Sequence, residues 1–526
     1  MKIFAYVLLA LTVSQVGATQ LRPNVLLVVA DDLGYTDLGS FGGEISTPNL
    51  DSLATNGMRF SSFYTAPTCS PTRAMLLTGA DNHLVGLGTM REAMADNQRG
   101  KPGYEGHLND RAASLPRAFA DAGYRTLMTG KWHLGHKKEH SPAARGFTHS
   151  FALLDGGAGH FSDLGIDKQH ASYRENGEFA KLPDDFYSSR FYTDKMIDYI
   201  ETGRDSGKPF FAYLAYTAPH WPLQAKKSTI KKYSGVYQRG YDDIRSERMA
   251  RAINLGVMPV GGSASLPLNG ERDWRQLSED QKRTSARKME IYAAMVDDMD
   301  ANFGRLVEYL KSTDQFDNTI IFFMSDNGAE GATIESEYPF LTKHAETCCD
   351  NSYANLGNSD SYIFYGAGWA RASVGNSRDY KGRTTEGGIR SPAFIHYRGI
   401  NGAGSVSNRF FTVKDVLPTL MQLSDVNIPQ GFEVPVEGRS IWRPQLSAAE
   451  MGWEFVGGRA YRKGNWKLVS TTARHGGDNS WRLYNLHKDP GEQKNLASEH
   501  PRIFQEMVKL FEAYEDKAGI VYPDNK

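Results

Sequence analysis

The chain has 526 residues, of which 40% are hydrophobic and 23% are charged. This composition is that of a globular protein with a large core, and it excludes a disordered or fibrous chain. The formal net charge of −1 excludes the overall positive charge that attracts nucleic acids or anionic membranes, so we expect no nucleic-acid partner and expect any anion to be bound locally.

The first residues, MKIFAYVLLALTVSQVGA, have the pattern of a secretory signal peptide. Lys2 precedes an apolar run from Ile3 to about Val13, and small residues follow as far as Ala18. The run is too short for a permanent transmembrane helix, and no later stretch of the sequence reaches that length. We therefore predict cleavage after Ala18 and an exported protein, periplasmic or secreted, with no stable membrane anchor.

Apolar runs bounded by Gly, Pro, Asn and Asp alternate with helical patterns along the chain. In chain order the runs are NVLLVVADD, YRTLMTGKWH, PFFAYLAYTAPH, TIIFFMSDNG and SPAFIHY. Because they are apolar on both faces, they are typical of strands buried in a largely parallel sheet that is covered by helices. The sequence therefore predicts an α/β layered fold.

One long helix is predicted from Thr284 to Leu310, where apolar residues recur at helical spacing. It contains an acidic cluster, Asp297, Asp298 and Asp300, which we interpret as a solvated helix face rather than a second metal site. Two polar segments, 226–282 and 342–379, are long excursions from the sheet. Long excursions are often functional, so we predict that these two form lids or walls around a site.

The character of the sequence changes near Ala448. Short strand-like pieces, VGGRAYRKGNWKLVS and WRLYNLHKDPGEQKNL, are followed by a terminal helical pattern near Ile503 to Tyr514. We predict a small second domain packed on the first. The predicted organisation is a signal peptide at 1–18, a large domain at 19–447 and a small C-terminal domain at 448–526.

The three cysteines, Cys69, Cys348 and Cys349, are too few for a disulfide framework. Adjacent cysteines could form only a vicinal bridge, so we predict that Cys348 and Cys349 are thiols. Cys69 is a leftover cysteine in an exported protein and calls for an explanation.

Two apolar strands end in pairs of oxygen ligands. Asp31 and Asp32 follow NVLLVVA, and Asp326 and Asn327 follow TIIFFMS. Ligands of open α/β sheets bind beyond the carboxyl ends of the strands, so the two pairs can converge there. An oxygen-only set favours Ca²⁺ or Mg²⁺ over zinc. Taken alone, each pair could equally cap a helix or start a turn.

The stretch TCSPTRAMLLTG, Thr68 to Gly79, is predicted to be a short helix. Pro71 suits its first turn and Gly79 its end. Residue 69 then lies at a helix N-terminus, where free N–H groups and the helix dipole attract negative charge, with Arg73 one turn along. A nucleophile at position 69 would be favoured there during attack on an anionic ester. The alternative is a buried cysteine before an ordinary helix.

The order of these motifs resembles the sulfatase family. Cys69-Ser70-Pro71-Thr72-Arg73 matches the C-x-P-x-R signature, whose cysteine a dedicated maturation enzyme oxidises to formylglycine. Further matches occur in the family's order: ADDLG, TPNLDSLA, GKWHLG, APHWP, SDNG, YKGRTTEGGIRSP and, near the C-terminus, LYNLHKDPGEQKNLA. The resemblance covers essentially the whole mature chain and is closest to bacterial-type arylsulfatases.

This resemblance implies the alkaline-phosphatase-like fold. The expected architecture is a large, mixed, mostly parallel sheet sandwiched by helices, with a small C-terminal α+β domain that carries a short antiparallel sheet. The implied activity is hydrolysis of small-molecule or carbohydrate sulfate monoesters by S–O cleavage. The alternatives are a phosphonate monoester or phosphodiester hydrolase of the same superfamily and an inactive relative that binds sulfate or glycans.

The resemblance also implies a nucleophile and a metal. Cys69 would become formylglycine (3-oxoalanine), whose hydrate supplies a hydroxyl for attack on sulfur and can later expel sulfate by C–O cleavage. One Ca²⁺ per chain would be held by Asp31, Asp32, Asp326 and Asn327 and would also contact residue 69. Asp326 would in addition take the proton of the nucleophile.

Five basic residues receive roles from the same resemblance. Arg73 would anchor the hydrate, and Lys131 would bridge towards the sulfate. His133 would accept the proton of the second hydroxyl during release. His220 and Lys381 would bind the sulfate and the bridging oxygen and assist the leaving group.

Overall fold

The structure, a computed structural model, describes residues 22–261, 273–442 and 449–524. The predicted signal peptide and the predicted domain boundary at 447/448 lie outside the described residues, so both stay predictions. Within the described ranges, no helix combines the length and the apolar character that crossing a membrane requires.

A ten-stranded mixed sheet organises most of the described chain, with strand order β11-β2-β10-β9-β1-β8-β4-β5-β6-β7. Five neighbouring strands at its centre, β9, β1, β8, β4 and β5, are parallel. A short parallel pair, β3 and β12, lies apart from it. The strand bounds are β1 (Asn24–Ala30), β2 (Met58–Phe60), β3 (Phe63–Tyr64), β4 (Arg125–Lys131), β5 (His149–Leu153), β6 (Tyr173–Glu175), β7 (Glu178–Phe179), β8 (Phe210–Ala215), β9 (Thr319–Ser325), β10 (Ala393–His396), β11 (Val406–Ser407) and β12 (Phe411–Thr412).

Helices cover both faces of this sheet. Alternate residues of β1 pack into two separate cores: Leu26 and Val28 into one, and Val25, Leu27 and Val29 into the other. The α-helix bounds are α1 (Pro48–Asn56), α2 (Cys69–Thr78), α3 (Leu115–Asp121), α4 (Ser188–Thr202), α5 (Lys227–Lys232), α6 (Tyr241–Asn254), α7 (Glu279–Ser312), α8 (Thr342–Cys348), α9 (Ala367–Val374), α10 (Glu386–Ile389), α11 (Val416–Leu423) and α12 (Pro501–Ala518). The predicted sheet sandwiched by helices is confirmed.

A smaller antiparallel sheet follows in the chain, with β13 (Glu450–Phe455), β14 (Gly458–Lys463), β15 (Trp466–Ser470) and β16 (Trp481–Asn485) in sequential order. Helix α12 packs on it through a separate small core that includes Leu468, Leu483, Met507 and Phe511. The predicted C-terminal antiparallel sheet and terminal helix are therefore confirmed, with the helix longer at both ends than the sequence pattern indicated.

Helix α7 begins at Glu279, five residues before the predicted start. Ser278 caps it, because its side chain accepts from the backbone of Gln281 while the Gln281 side chain accepts from the backbone of Ser278.

The prediction that the acidic cluster of α7 forms a solvated face is wrong. Asp297, Asp298 and Asp300 are all buried. Their partners come from helix α5 and its surroundings and from α1: Asp297 accepts from Tyr233, Asp298 from Tyr187 and Thr229, and Asp300 from Asn49 and the backbone of Leu50. The periodicity of one helix cannot reveal that polar partners from other helices cover its acidic side.

The prediction of two thiols at Cys348 and Cys349 is also wrong, because the structure joins them in a vicinal disulfide. Cys348 ends helix α8, and Cys349 is extended, so the backbone changes conformation between them. Both pack beside an aromatic cluster that contains Trp221, Tyr338 and Phe364.

A buried ion cluster ties β13 to the large sheet's helical layer. Nδ1 of His83 lies 2.9 Å from Asp81 and Nε2 lies 3.4 Å from Glu454 on β13, and Tyr514 of α12 donates to Asp81 at 3.1 Å. Burial alone would lower the pKa of His83, but its bonds to Asp81 and Glu454 outweigh burial and raise that pKa to about 9.

We predict that this cluster stabilises the protein in a pH-dependent way. A raised histidine pKa contributes stability fully below the unfolded-state pKa of about 6.5, and the contribution disappears as the pH rises through about 9. His83→Gln should therefore have a lower free energy of unfolding than the wild type at pH 6, by up to about 3 kcal/mol. This difference in stability, and the gap in melting temperature that it causes, should shrink at pH 9.5. Thermal unfolding at both pH values checks this. The exposed pair His170 and Asp163 supplies the control His170→Gln, and an equal gap at both pH values would contradict the prediction.

Candidate active site

The carboxyl ends of four adjacent parallel strands, β9, β1, β8 and β4, meet at one edge of the large sheet. Ala30 pairs with Ser325, and Ala215 pairs with both Val29 and Gly130. The chain continues this contact beyond the strands, because the N–H of Asp31 donates to the Ala218 carbonyl and that of Asp326 donates to the Ala30 carbonyl, both at 3.1 Å. Segments about 300 residues apart in the sequence thus place their polar side chains together.

A glycine allows β4 to reach this edge. Gly130 has φ of 106°, and a Cβ on it would lie 1.8 Å from the carbonyl oxygen of Ala215 on β8. Only glycine accommodates both the positive φ and the close approach. Lys131, the last residue of β4, therefore enters the site directly beside β8.

Helix α2 brings Cys69 to the same edge. The helix begins at Cys69 and ends at Thr78, with Gly79 left-handed after it, as predicted. The Cys69 thiol is buried, and its Sγ lies 3.7 Å from Oδ1 of Asp31. Burial raises the pKa of Cys69 well above its ordinary value, so an unmodified side chain here is a protonated thiol at neutral pH.

Two carboxylates of the site pair with buried cations. Lys131 Nζ lies 2.7 Å from Asp31, and the Arg73 guanidinium donates to Oδ2 of Asp326 through Nε at 2.9 Å and Nη2 at 2.7 Å. Arg73 also donates from Nη1 to the carbonyl of Lys131 at 3.0 Å. All four side chains are fully buried. Arg73 therefore links helix α2 to the ends of β9 and β4.

The third carboxylate, Asp32, is surrounded by polar groups. Asp32 has a positive φ of 64°. Lys381 donates to it at 2.8 Å, the Asn327 amide donates to it at 2.7 Å, and Nε2 of His220 lies 3.6 Å away. His220 in turn donates from Nδ1 to the Trp221 carbonyl, which fixes its ring.

Lys381 reaches Asp32 from a distant segment. Its N–H donates to the Ala329 carbonyl at 3.0 Å, directly after the SDNG stretch, and a Cβ on Gly328 would lie 1.8 Å from the Gly387 carbonyl. The small residue lets the two segments touch. Buried Glu330 also pairs with Lys381 at 3.3 Å.

Four side chains can offer ligand atoms that all lie within 4.8 Å of one another: Asp31, Asp32, Cys69 and His220. Asp326 and Asn327 adjoin this cluster, since Oδ1 of Asp326 accepts from the N–H of Asp32 and Asn327 donates to Asp32. The Oδ1 atom of Asn327 is buried and has no partner among the described residues. Buried amide oxygens are normally paired, so this atom is suited to a ligand that the protein itself does not supply.

The electrostatic surroundings shift the pKa values of Asp31 and Asp326 in opposite directions. Burial raises the pKa of Asp31 to about 7, although Lys131 and Arg73 oppose the change. For Asp326 burial acts in the same direction, but Arg73 and the two lysines outweigh it, so its pKa is lowered. Burial, Lys381 and Lys131 lower the pKa of His220 far below its usual range, so this imidazole is neutral at neutral pH.

His133 lies at the same end of β4, with a positive φ of 55°. Its Nε2 is 3.0 Å from Oε1 of Glu92. Its Nδ1 is buried and has no partner among the described residues. Burial lowers the pKa of His133, and Glu92 opposes that shift.

A cavity of about 530 Å³ opens above this polar group. Cys69, His133, His220 and Lys381 line it, and the other walls come from 90, 92–93, 166–167, 337–341, 382–383, 455–456 and 474–475. The prediction that 226–282 and 342–379 form the walls is wrong for the described residues of those segments. The wall residues 337–341 lie just before α8, and residues 262–272 lie outside the described ranges.

Aromatic side chains form one wall of the cavity. The Trp221 ring lies 5.7 Å from that of Tyr338, and the Phe340 ring lies 6.1 Å from Tyr338 on the other side. Phe340 is 73% exposed, which is high for a large apolar side chain. This wall can cover an apolar ring or the apolar face of a sugar.

The small antiparallel sheet supplies part of the opposite wall. Phe455 ends β13 and Val456 follows it in a two-residue turn to β14. Val456 and Gly457 both have positive φ, 49° and 84°. A β-branched residue rarely adopts this conformation.

The candidate nucleophile, the candidate metal ligands and the five basic residues named from the sequence all lie in this one region, whereas several of their partners were not predicted. Glu92 and Glu330 gave no signal, because neither belongs to a strand end or a motif with spacing. Buried His160, to which the sequence assigns no role, is hydrogen-bonded between Ser188 and the carbonyl of His220. Such a partner could have been found only from the folded arrangement.

Comparison with known proteins identifies the family of this chain and agrees with its fold. Residues 23–426 match the family model for sulfatases, so the chain belongs to the sulfatase family. It is 43% identical to a sulfatase of Schizosaccharomyces pombe described as uncharacterized, over 95% of this chain and 94% of that protein. It is 42% identical to an arylsulfatase of Klebsiella aerogenes, over 78% of this chain and 88% of that protein.

Solved structures share the fold. The crystal structure of Ps i-CgsB in complex with a neocarrahexaose superposes with a TM-score of 0.67 at 24% identity, covering 94% of this chain and 92% of that one. A phosphonate monoester hydrolase of Agrobacterium radiobacter superposes with a TM-score of 0.57 at 18% identity, covering 94% of this chain and 96% of that one. The family and the alkaline-phosphatase-like fold expected from the sequence are confirmed.

We predict that Arg73 is required for stability. Arg73→Met removes the partner of buried Asp326 and leaves an uncompensated charge, which typically costs about 3–5 kcal/mol. The variant should melt several degrees below the wild type in thermal unfolding. The exposed pair of Arg398 and Asp317 provides the matched control Arg398→Met, which should change stability by less than about 1 kcal/mol. Equal melting of the two variants would contradict the prediction.

Proposed function

We propose that this protein hydrolyses sulfate monoesters by S–O cleavage, with a formylglycine made from Cys69 as the nucleophile and with one bound Ca²⁺. The observation that carries the proposal is the convergence of three buried cationic side chains, Arg73, Lys131 and Lys381, on the group of carboxylates beside Cys69, which lines the cavity. A sulfate ester is an anion, and fixed positive charge in a buried site stabilises the charge that develops on its oxygens.

The residues fit a hard divalent cation. Asp31, Asp32 and Asp326 are carboxylates at one sheet edge, and the buried Oδ1 of Asn327 has no partner in the described chain. Ca²⁺ takes six to eight oxygen ligands, which this set and residue 69 would begin to supply. When bound, the cation would withdraw charge from the sulfate oxygens. The two lysines that pair with Asp31 and Asp32 would then be available to the ester.

The other side chains have distinct proposed roles. Arg73 orients residue 69 and Asp326, and Asp326 takes the proton of the attacking hydroxyl. Lys131 bridges towards the sulfate. His220 and Lys381 bind the sulfate and the bridging oxygen, where positive charge or a hydrogen bond assists the leaving group.

His133 accepts a proton during the release of sulfate. Its lowered pKa keeps the imidazole neutral and able to act as a base at neutral pH.

The proposed substrate is an aryl sulfate or another small sulfate ester. The aromatic wall around Tyr338 and Phe340 suits a planar ring, and the Klebsiella relative is an arylsulfatase. A carbohydrate sulfate is the alternative, because stacked aromatic side chains also cover sugar faces.

Maturation and location complete the proposal. A formylglycine-generating enzyme of the host would act on Cys69, and the chain would be exported through residues 1–18 to the periplasm or the medium. The proposed domains are the catalytic part, 19–447, and the small C-terminal part, 448–526.

Two other functions are distinguishable by experiment. A phosphonate monoester or phosphodiester hydrolase of this superfamily would prefer phosphorus esters, and an inactive relative would bind sulfate without turnover. Comparison of sulfate, phosphonate and phosphodiester substrates that share one phenol leaving group separates them. The preference for sulfate rests on the oxygen-only set Asp31, Asp32, Asp326 and Asn327.

We predict that Cys69 is modified when the protein is produced with the maturation enzyme. Mass spectrometry of the tryptic peptide that contains Cys69 should show loss of the thiol in favour of the aldehyde or its hydrate, and the same preparation should release phenol from an aryl sulfate. Cys69→Ala should fold normally and release none. An unmodified thiol in a preparation that hydrolyses aryl sulfates would sink the proposed nucleophile.

We predict that Ca²⁺ stabilises the protein through the proposed ligands. After chelation, Ca²⁺ at about 100 times its dissociation constant should add about 2.7 kcal/mol of stability and raise the melting temperature, with Mg²⁺ less effective. Asp32→Asn should lose most of this gain, whereas Asp317→Asn at an exposed carboxylate should keep it. An identical gain in both variants would show that the cation binds elsewhere.

A further inference from the structure

Glu92 and His133 form a pair at the margin of the proposed site. Glu92 lies in a short helical turn, Arg91–Ala93, and its Oε1 is 3.0 Å from Nε2 of His133. Both side chains line the cavity that also contains Cys69. His133 is 4% exposed, whereas Glu92 is 46% exposed. The histidine is thus held inside by a carboxylate that water can reach.

The two ring nitrogens of His133 have different surroundings. Nε2 has Glu92 as its partner, whereas Nδ1 is buried with no partner among the described residues. A carboxylate at neutral pH can only accept, so the proton of a neutral ring must lie on Nε2. The bond made by one nitrogen of a histidine determines what the other can do.

We propose that Glu92 is a positioning residue for His133: by accepting from the Nε2–H, it holds the ring in one orientation and in the tautomer whose free lone pair is on Nδ1. Nδ1 is then the atom that accepts a proton.

The role in turnover rests on the proposed function. The proton that leaves the hydroxyl during sulfate release bonds to the Nδ1 lone pair, and the neutral ring becomes an imidazolium. The Nε2–H bond stays intact and remains hydrogen-bonded to the Glu92 carboxylate. Once sulfate has left, water that enters the vacated space takes the proton from Nδ1, which restores the starting tautomer.

The charged groups around His133 act in opposite directions. Burial, Lys131 and Arg73 favour the neutral ring, and Glu92 favours the imidazolium. Glu92 therefore supplies a negative charge that opposes the effect of Lys131 and Arg73 on the pKa of His133. Its half-exposed carboxylate is screened by water, which weakens but does not remove its effect on the pKa of His133.

The first experiment uses ¹⁵N-histidine NMR on the full chain with unmodified Cys69 and no substrate. The shifts of the two ring nitrogens report the tautomer and the titration of His133, whose signals are assigned by their loss in His133→Gln. The wild type should show a protonated Nε2 and a bare Nδ1. Glu92→Gln, whose amide oxygen still accepts, should keep this tautomer and lower the titration midpoint by about one unit. Glu92→Ala should give a mixture of tautomers.

The second experiment uses the matured enzyme and the dependence of kcat on pH. A base must be deprotonated to work, so kcat rises as the pH passes its pKa. Removal of the Glu92 charge should move this acid limb to lower pH in both variants. Glu92→Ala should also lower the plateau by about 10-fold or more, and Glu92→Gln should retain most of it. Glu308→Gln removes a charge at an exposed helix position, so it should leave the acid limb and the plateau of kcat unchanged.

Two results would overturn the inference. In the first, the tautomer and the titration of His133 are the same in the wild type and both variants. In the second, the variants change only KM, by amounts that depend on the charge of the leaving group, which would mean that Glu92 contacts the substrate instead. Because the NMR measurement needs no turnover, failure of the sulfatase proposal would leave this test intact.

Discussion

The site depends on charge pairing among side chains that are buried from solvent. Three carboxylates are buried beside three cationic side chains, in the pairs Asp31 with Lys131, Asp326 with Arg73 and Asp32 with Lys381. A buried charge left without its partner costs several kcal/mol, so the loss of one member of a pair would strongly destabilise the other. The three pairs also match each negative side chain of the group with a positive one.

Strand order explains how these pairs arise from distant parts of the chain. Because β9, β1, β8 and β4 are parallel neighbours, the residues that follow them share one edge, and helix α2 adds Cys69 and Arg73 from above the same edge. Close backbone contacts at Gly130 and Gly328 bring the segments that carry Lys131 and Lys381 directly against their neighbours. The geometry of the site is therefore a property of the sheet as much as of the individual side chains.

Much of this could be predicted from the sequence, because long apolar runs identify buried strands and the residues that end them identify the edge. Asp31 and Asp326 were found in this way, whereas Lys131 was found only through the order of motifs, which also identified the family. Partners from other elements could not be found: Glu92 carries no local pattern, and the burial of Asp298 depends on Tyr187 and Thr229, which come from other segments. The cavity walls were misplaced for the same reason, since polarity along a segment does not say which side of the sheet it reaches.

The turn at Val456 and Gly457 has a consequence for how this protein could change over evolution. It is the tip of a hairpin in the small sheet, and it contacts the cavity nearly 400 residues after Cys69 in the chain. The tip is joined to two strands whose pairing does not depend on its side chain, so its shape can vary without moving the buried charges. A change of side chain at this tip would therefore alter the shape of the cavity while the paired charges at the sheet edge keep their partners.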